Sequence, residues 1–537
     1  MIDGNGYALI GPGAGSGPGF NLTGVSDVTI KNVTVTGWDY GFFLDSSSNN
    51  NLSGNTVTYN TYDGFDLLSS SNNNNLSGNT VYNNSNGFAL FSSSNNILSG
   101  NNVTNSTYGF YLSSSSFNNL TGNNANNNTY GVYLITNSNN NILSDNNANN
   151  NTNTGFIIWT SSNNILSGNN ATNSQNGFHL AASSYNNLTD NNATDNYYGF
   201  NLESSSNNNN LTDNNATDNY YGFYLTSSSN NNLTGNTANS NNFYGFYLES
   251  SSNNNILSDN NATNNDYDGF HLYSNSNNNI LSDNTATSNA AGFYLESSSN
   301  NNLTGNTATS NDDGFYLDTS SNNNLTGNTA TNSGNYGFYL ASCTGNNILV
   351  NIALNGTNGY YFDGSDINNN FTGSVVAYYL RVNVTDSGGL PLSGAQVKVV
   401  SNGTITMWYA TPHFGGTNSP TDEYGLTPWF AVPYQTFITS DTKTNNTNTI
   451  TVWYSTASEI AVFSSNPRPV DMSTSHTEDF NVTSWQPIPS QTMLLATLLL
   501  LAGTQGGTSP LVYVALGIVG LAVVAAVLFY YFRIRRV

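Results

Sequence analysis

The chain has 537 residues, enough for several domains, and only 8 of them are Lys or Arg while 31 are Asp or Glu. The formal net charge is −23 and no basic residue lies between Lys31 and Arg381, so we expect no nucleic-acid partner. The single cysteine, Cys343, excludes an internal disulfide framework.

From Gly41 to about Tyr361 the chain repeats itself every 22 to 24 residues. A typical copy is Gly292–Asp313, which reads GFYLESSSNNNLTGNTATSNDD. In its G-F-x-L step the Phe and Leu positions are nearly fixed among the copies, whereas x varies freely. This alternation predicts a strand with one buried face, and a repeat of this length is typical of stacked architectures.

The second half of each copy, N-L-T-G-N-T-A-T, alternates in the same way but slips by one residue at Gly305. The copies have either Gly or Asp at this position, as in Asp283. Both residues tolerate a left-handed backbone, so the position predicts a bend. The Asp residues could instead be metal ligands or catalytic carboxylates, but their free exchange with Gly favours the bend.

No part of the repeat has helical periodicity, and one turn is too short to close a core of its own. The turns must therefore stack, Phe on Phe and Leu on Leu, with side chains of the Asn306 type forming an amide ladder along the axis. We predict an all-β fold whose main domain, residues 1–374, is a parallel β-helix of about 15 turns. At a strand spacing of about 4.8 Å such a rod is roughly 70 Å long.

The repeat GFYLESSSNNNLTGNTATSN resembles that of the NosD family and of the wider carbohydrate-binding and sugar-hydrolase group, in particular its Asn- and Ser-rich archaeal cell-surface members. The resemblance covers roughly residues 1–374. It implies a right-handed, single-stranded solenoid with the pectin-lyase type of fold, outside the cell. Because such proteins include carriers, enzymes and adhesins, the resemblance leaves the function open.

Residues 375–485 change in character and predict a small β-sandwich. Strands are expected around Tyr378–Thr385, Gly394–Val400 and Ile450–Tyr454, with turns between them. The pattern V-x-D-x-x-G-x-P-L-x-G-A-x-V, followed by T-D-x-x-G, resembles the carboxypeptidase-regulatory, transthyretin-like domains. The matching residues are Val384, Asp386, Gly389, Pro391, Leu392, Gly394, Ala395, Val397, Thr421, Asp422 and Gly425. The resemblance implies a spacer or binding module.

The C-terminal part predicts a membrane anchor. Leu511–Phe532 is an uninterrupted apolar run, long enough to cross roughly 30 Å of hydrocarbon as a helix. The basic residues of the tail, 533–537, place the C-terminus in the cytoplasm. Residues 486–510 would form a stalk or linker, because the apolar stretch Met493–Ala502 is too short to span the membrane.

The N-terminus contradicts this topology. Met1–Ile10 has neither the basic segment nor the apolar run and cleavage site of a signal peptide, yet everything before Leu511 should be exported. We therefore expect Met1 to be an internal or misassigned start, with a signal peptide and further turns encoded upstream.

Metal and cofactor sites are not expected. A copper carrier needs clustered His, Cys or Met, but the four His residues are scattered. His179 and His271 occupy the same variable column four turns apart, about 19 Å, and cannot share an ion.

Catalysis has few candidates. A polysaccharide lyase needs cationic groups, but the chain has no Lys or Arg from Asn32 to Leu380, whereas a glycosidase needs only two carboxylates about 5 to 9.5 Å apart. The pairs Glu296 with Asp318 and Asp195 with Asp218 lie on adjacent predicted turns. Stacking alone generates such pairs in any repeat protein, and the column of Glu296 also holds neutral residues, which indicates a solvated face.

Tyr residues fill the variable column on most of the later turns, interrupted by His271. They are Tyr224, Tyr247, Tyr294, Tyr316, Tyr339 and Tyr361. An outward ladder of this kind can stack against sugar rings, or it can stabilise its own sheet by pairing between strands, and the second interpretation is favoured.

Sequons for N-glycosylation are abundant. The candidates are Asn119, Asn187, Asn210, Asn232, Asn302 and Asn324. Asn-rich repeats create such motifs by chance, but a position at a solvent-facing corner would be compatible with glycosylation.

The sequence thus predicts a non-enzymatic, membrane-anchored cell-surface protein that acts in adhesion, envelope structure or glycan binding, with surface glycans or envelope proteins as partners. The alternative is a glycosidase-type enzyme with an outward carboxylate pair. Copper delivery of the NosD type is disfavoured because the ligands are missing.

Overall fold

The computed structural model describes residues 1–363, 366, 368–402, 405–406, 420–437, 443–456 and 458–487. Every regular element in these ranges is a strand. The expected membrane segment, the basic tail and all but the first two residues of the stalk lie outside the described residues. In the described part, no helix is long and apolar enough to cross a membrane.

Each turn of the rod gives one strand to each of three parallel sheets that run along its axis. We name these the Leu, Ala and Phe sheets after the residue that each buries. In the Leu sheet Leu303 pairs with Leu325, and in the Ala sheet Ala308 pairs with Ala330. In the Phe sheet Phe315 pairs with Phe338.

The strands of the Leu sheet are Ile2–Asp3, Thr29–Lys31, Asn51–Ser53, Asn75–Ser77, Ile97–Ser99, Asn119–Thr121, Ile142–Ser144, Ile165–Ser167, Asn187–Thr189, Asn210–Thr212, Asn232–Thr234, Ile256–Ser258, Ile280–Ser282, Asn302–Thr304, Asn324–Thr326 and Asn347–Leu349. The strands of the Ala sheet within the rod are Ala8–Ile10, Thr34–Thr36, Thr56–Thr58, Thr80–Tyr82, Asn102–Thr104, Asn124–Asn126, Asn147–Asn149, Asn170–Thr172, Asn192–Thr194, Asn215–Thr217, Thr237–Asn239, Asn261–Thr263, Thr285–Thr287, Thr307–Thr309, Thr329–Thr331 and Ile352–Leu354. The strands of the Phe sheet are Pro18–Thr23, Tyr40–Asp45, Asp63–Leu68, Asn86–Phe91, Tyr108–Ser113, Tyr130–Ile135, Thr154–Trp159, Asn176–Ala181, Tyr198–Glu203, Tyr221–Thr226, Phe246–Glu249, Phe270–Tyr273, Ala291–Glu296, Asp313–Asp318, Tyr336–Ala341 and Asn358–Phe362.

The all-β parallel β-helix is therefore confirmed, with about 16 turns instead of about 15. Its core is a set of columns of the same or similar apolar side chains, because equivalent residues of successive turns are in register. Phe223 and Phe246, for example, stack with ring centroids 4.7 Å apart and planes 4° from parallel. Both rings are completely buried.

The corners of each turn use more left-handed residues than the sequence pattern predicts. The φ angle is 68° at Gly305 and 55° at Asp283, which confirms the bend predicted there. In the turn that contains Gly305, however, Ser297, Asn300 and Ser310 also have φ between 51° and 60°. Asn visits this region more readily than most residues, and Ser is held there by the hydrogen bonds of the corner.

Asn side chains form three ladders, where the pattern predicts one. In the ladder of Asn306, the Nδ2 atom donates to Oδ1 of Asn328 at 2.9 Å and to the carbonyl of Leu281 at 2.8 Å. The backbone N–H of Asn306 donates to the same Oδ1 atom of Asn328 at 2.9 Å. The columns of Asn301 and Asn311 form further ladders inside the other corners, so buried amides satisfy backbone groups that the bends leave open.

The chain from Val375 onward continues the rod. Val375–Thr385 pairs in parallel with Ile352–Leu354, the last strand of the Ala sheet, and antiparallel with Phe430–Phe437. Phe437 is 4% exposed and covers the end of the core, with its ring 4.9 Å from Tyr360 and 5.7 Å from Phe371. Phe371 is 3% exposed and closes the rod together with Phe437.

The strands after the rod are Val375–Thr385, Gln396–Ser401, Ile405–Thr406, Phe430–Phe437, Lys443–Asn445, Asn448–Trp453, Glu459–Phe463, Arg468–Val470 and His476–Pro487. They lie in two sheets and share a second buried cluster that includes Val399, Ile450 and Phe480. Asp386 and Asp422 form similar turns, because the Oδ1 atom of each accepts backbone N–H bonds from residues two and four positions later. A sandwich of the carboxypeptidase-regulatory type remains a prediction.

Candidate functional site

The outward face of the Phe sheet carries many aromatic and acidic side chains, and the Tyr column lies on it. Tyr316, Tyr339 and Tyr361 are half-buried and stack on one another, with centroids 4.5 and 4.6 Å apart and planes 18° and 9° from parallel. Stacked rings cover one another's faces and leave mainly edges and hydroxyl groups to solvent. In this stretch the ladder therefore stabilises its own sheet.

A second column of Tyr residues, which the sequence analysis missed, packs beside the first. It consists of the residues that precede the Gly of the repeat, among them Tyr198, Tyr221 and Tyr244. The ring of Tyr198 lies 4.9 Å from Tyr224, and that of Tyr244 lies 4.7 Å from Tyr247. The frequent Tyr before Gly in the repeat was the available signal.

His271 interrupts the stacking of the first column. The residue is 4% exposed and its ring is nearly perpendicular to Tyr244 at 4.7 Å and to Tyr247 at 5.2 Å. On the other side, Tyr294 lies 4.5 Å from His271, and the plane of Tyr294 is rotated by 75° from that of Tyr316. Here the ring planes turn, so ring faces are no longer all covered by parallel neighbours.

Carboxylates flank this interruption. The Nδ1 atom of His271 lies 3.0 Å from Oδ2 of Asp268, and its Nε2 atom lies 3.8 Å from Oε2 of Glu296. Both nitrogen atoms are buried; Nδ1 is paired with Asp268, whereas Nε2 has no hydrogen-bond partner among the described residues. The ring is thus held between two acids with unused hydrogen-bonding capacity.

Glu249 completes the cluster. Its Oε2 atom accepts a hydrogen bond of 2.8 Å from the hydroxyl of Tyr247, and its Oε1 atom accepts one from the hydroxyl of Tyr224. Burial, followed by the hydrogen bonds to Glu249, raises the pKa of both phenols above the usual range, so both remain donors. The two phenols fix the orientation of the carboxylate.

We call this cluster the His271 patch. Its members are Tyr244, Tyr247, Glu249, Asp268, His271, Tyr294 and Glu296.

The two predicted carboxylate pairs lie on different parts of the rod surface. Glu296 and Asp318 are register partners on neighbouring strands of the Phe sheet, and both are half-buried beside the patch. Asp195 and Asp218 are exposed at left-handed corners after the Ala sheet, with φ of 56° and 57°. Only the first pair therefore adjoins the aromatic face.

The candidate glycosylation sites do not lie at corners, contrary to the expectation. Asn119, Asn187, Asn210, Asn232, Asn302 and Asn324 are the first residues of Leu-sheet strands. The reason is that the Leu of N-L-T is a core residue, so the motif is itself the strand. On the outer surface the Nδ2 atom of Asn210 donates to Oδ1 of Asn187 at 2.9 Å, and Asn324 bonds to Asn302 in the same way.

Metal ligands are not gathered in the described part of the chain, which has no group of three His, Cys, Asp or Glu residues able to hold one ion. His179 lies on the same column as His271 and contacts Glu203, with Nε2 and Oε1 3.1 Å apart. Cys343 is buried at the place that Ser residues occupy in other turns.

Two family models match the chain. The one described as "Right handed beta helix region" matches residues 18–171, and the one described as "Periplasmic copper-binding protein (NosD)" matches residues 145–279 and 217–388. No curated protein matches the chain in sequence.

Several solved structures are similar in fold. The A-module of a mannuronan C-5 epimerase from Azotobacter vinelandii is 15% identical, with 65% of this chain and 90% of that chain covered and a TM-score of 0.32. An α-1,3-glucanase from Streptomyces thermodiastaticus is 13% identical, with 65% and 62% covered and a TM-score of 0.30. The tailspike protein of E. coli bacteriophage HK620, in complex with a pentasaccharide, is 11% identical, with 79% and 85% covered and a TM-score of 0.37.

At these identities the similarity concerns the fold alone. The repeat, the three parallel sheets and the two family matches agree on the fold, a right-handed β-helix, and residues 145–279 and 217–388 are similar to the NosD family.

Proposed function

We propose that the chain is a cell-surface β-helix protein that binds glycans on the outward face of its Phe sheet, at the His271 patch, without catalysing a reaction. The observation that carries the proposal is the interruption of the Tyr stack at His271. There, ring faces and oriented carboxylates lie side by side, and this is the combination that holds a sugar ring through its C–H groups and its hydroxyls.

The proposal includes a location outside the inner membrane. NosD is described as a periplasmic protein, which supports a position outside the inner membrane for a NosD-like chain. Residues 511–532 would anchor the protein as one membrane span, with residues 375–485 as a spacer and the C-terminus in the cytoplasm. Adhesion or a role in the envelope would then be the biological use of glycan contact.

A second candidate function is glycoside hydrolysis by Glu296 and Asp318. The observation in its favour is their placement on neighbouring strands beside the patch. Hydrolysis requires one carboxyl to donate a proton and the other to attack or to activate water, at a separation of about 5 to 9.5 Å. We prefer binding because register pairing alone brings such carboxylates side by side in a stacked repeat.

The test replaces His271 with Tyr in the full chain and measures binding to a panel of polysaccharides. His271→Tyr would complete the Tyr stack and cover the ring faces, so we expect affinity to fall by about tenfold or more while the free energy of unfolding does not decrease. His179→Tyr makes the same change in the same column four turns away and should leave affinity unchanged.

Equal binding by the two variants and the wild type would overturn the assignment to the patch. Release of reducing ends from any polysaccharide, abolished by Glu296→Gln or Asp318→Asn, would instead establish the hydrolase.

A further inference from the structure

The His271 patch carries negative charge that no cationic side chain neutralises. Glu249, Asp268 and Glu296 contact only Tyr hydroxyls, His271 and backbone groups among the described residues. The sequence has no Lys or Arg from residue 32 to residue 380, so no turn near the patch could supply one. Carboxylates that are partly removed from water are normally paired, and here a single imidazole, His271, lies among three carboxylates, so the patch keeps an excess of acidic groups.

His271 is the second sign of an absent ligand. It is 4% exposed, and while its Nδ1 atom contacts Oδ2 of Asp268 at 3.0 Å, its Nε2 atom is 3.8 Å from Glu296 and has no hydrogen bond among the described residues. A buried polar group without a partner costs free energy, and such groups are retained where a ligand completes the bonding. The Nε2 atom faces Glu296, whose side chain is 35% exposed, so this side of the ring adjoins a solvent-accessible carboxylate.

The rings add to the preference for positive charge. The planes of Tyr244, Tyr247 and Tyr294 are inclined to that of His271 by 76°, 61° and 34°, so they do not form a parallel stack with it, and the face of an aromatic ring attracts a cation. The same surface repels an anion, because carboxylates and ring faces both present negative potential. A glycan with a carboxylate on each sugar is thus the wrong partner for this patch.

The spacing of the acids suits a linear polymer. Glu249 and Glu296 follow the buried Leu of strands that are two positions apart in the Phe sheet, so they are separated by about 9.6 Å along the rod. This distance is close to the repeat of a disaccharide in an extended β-linked chain. A polymer lying along the axis would bring every second sugar to an equivalent acid.

We infer that the His271 patch is selective for glycans with free amino groups, that is, polymers of de-N-acetylated hexosamine. The inference rests on the proposed glycan binding and specifies its ligand. Each ammonium group would be held by a carboxylate and a ring face, while the sugar rings contact the Tyr edges.

The experiment measures binding of the full chain to oligomers of equal length made of glucosamine, N-acetylglucosamine, galacturonic acid and lysine. The glucosamine oligomer should bind about tenfold or more tightly than its N-acetylated form, which is the effect of one charge-assisted contact. High salt should reduce this difference, because the contact is electrostatic.

Two variants locate the effect. Glu249→Gln and Glu296→Gln should each weaken binding of the glucosamine oligomer about tenfold and leave the N-acetylated oligomer within about twofold. Asp45→Asn is the matched control, since Asp45 lies in the same column of the Phe sheet at the far end of the rod.

The outcomes separate the inference from the proposal on which it rests. If no oligosaccharide binds, glycan binding itself is overturned. If the N-acetylated or the galacturonate oligomer binds as tightly as the glucosamine oligomer, only the selectivity for amines is overturned. If the lysine oligomer competes equally well, charge alone is recognised and the glycan is not the ligand.

Discussion

Phe246 and Tyr247 are neighbours in one strand but contribute differently to the free energy of unfolding, because they face opposite sides of the Phe sheet. Phe246 is completely buried and stacks at 4.7 Å on both Phe223 and Phe270. Phe246→Ala should lower the free energy of unfolding by about 3–5 kcal/mol. Tyr247→Ala, at a half-buried position, should cost clearly less, roughly 1–2 kcal/mol for the ring contacts and the bond to Glu249. Chemical denaturation of both variants tests this, and equal losses would mean that the two faces are inverted.

Asp66 is a buried carboxyl group, and its titration should make the free energy of unfolding of the rod depend on pH. The residue is 3% exposed and its Oδ1 atom has no hydrogen-bond partner among the described residues. Burial, followed by the charge of Asp63, raises the pKa of Asp66 to about 8, and burial raises that of Asp63 to about 6. A raised pKa in the folded state means that folding favours the protonated form.

The contribution of these two carboxyls to the free energy of unfolding should therefore be largest below about pH 4 and be lost as the pH rises towards 8. Asp66→Asn, which stays neutral, should raise it by roughly 2–4 kcal/mol at pH 8 and flatten the pH profile. Asp145→Asn, at an exposed left-handed corner, is the control. An unchanged profile for Asp66→Asn would show that the carboxyl is hydrated in solution.

At the scale of the element, the Asn ladders connect each turn to the next. Asn236 accepts two hydrogen bonds of 3.0 Å from Asn214 and donates one of 2.8 Å to the carbonyl of Leu211. Asn236→Ala would leave these buried groups without partners and should cost roughly 3–5 kcal/mol. Asn232→Ala is the matched control in the same turn, because the hydrogen bond from Asn232 to Asn210 lies on the outer surface. Water can replace this bond, so the loss in the free energy of unfolding should be below about 1 kcal/mol. Similar losses in thermal unfolding would contradict the central role of the buried ladder.

The elements of the rod could be predicted from the sequence because their cause is a period. Phe and Leu recur at a constant spacing, and a position restricted to Gly or Asp indicates a left-handed backbone. The His271 patch could not be predicted in this way, since it depends on how Tyr244 packs in front of the column and on how the rings rotate at Tyr294. Likewise, the alternation predicted a strand near Tyr378–Thr385, but its pairing with the last turn of the rod is a tertiary contact without a local signal.

At the scale of the whole molecule, the chain should not act as a copper carrier. Its similarity to NosD suggests that it carries copper. However, His179 and His271 lie on separate turns of the rod, and each contacts a carboxylate there. Titration of the full chain with Cu(I) and Cu(II) should show no stoichiometric submicromolar site. If such a site appears, its loss in His271→Tyr or His179→Tyr would identify the ligand and contradict the prediction.

The in-register ladders have a consequence for how such a protein can change over generations. Every turn offers its neighbours the same Phe, Leu, Ala and Asn columns, so one complete turn can be duplicated or deleted and the flanking turns still find identical partners. Gain or loss of a turn would move the His271 patch along the axis by about 4.8 Å and leave its chemistry intact. The distance between the patch and the C-terminal strands can therefore differ between relatives by whole multiples of the spacing between adjacent strands.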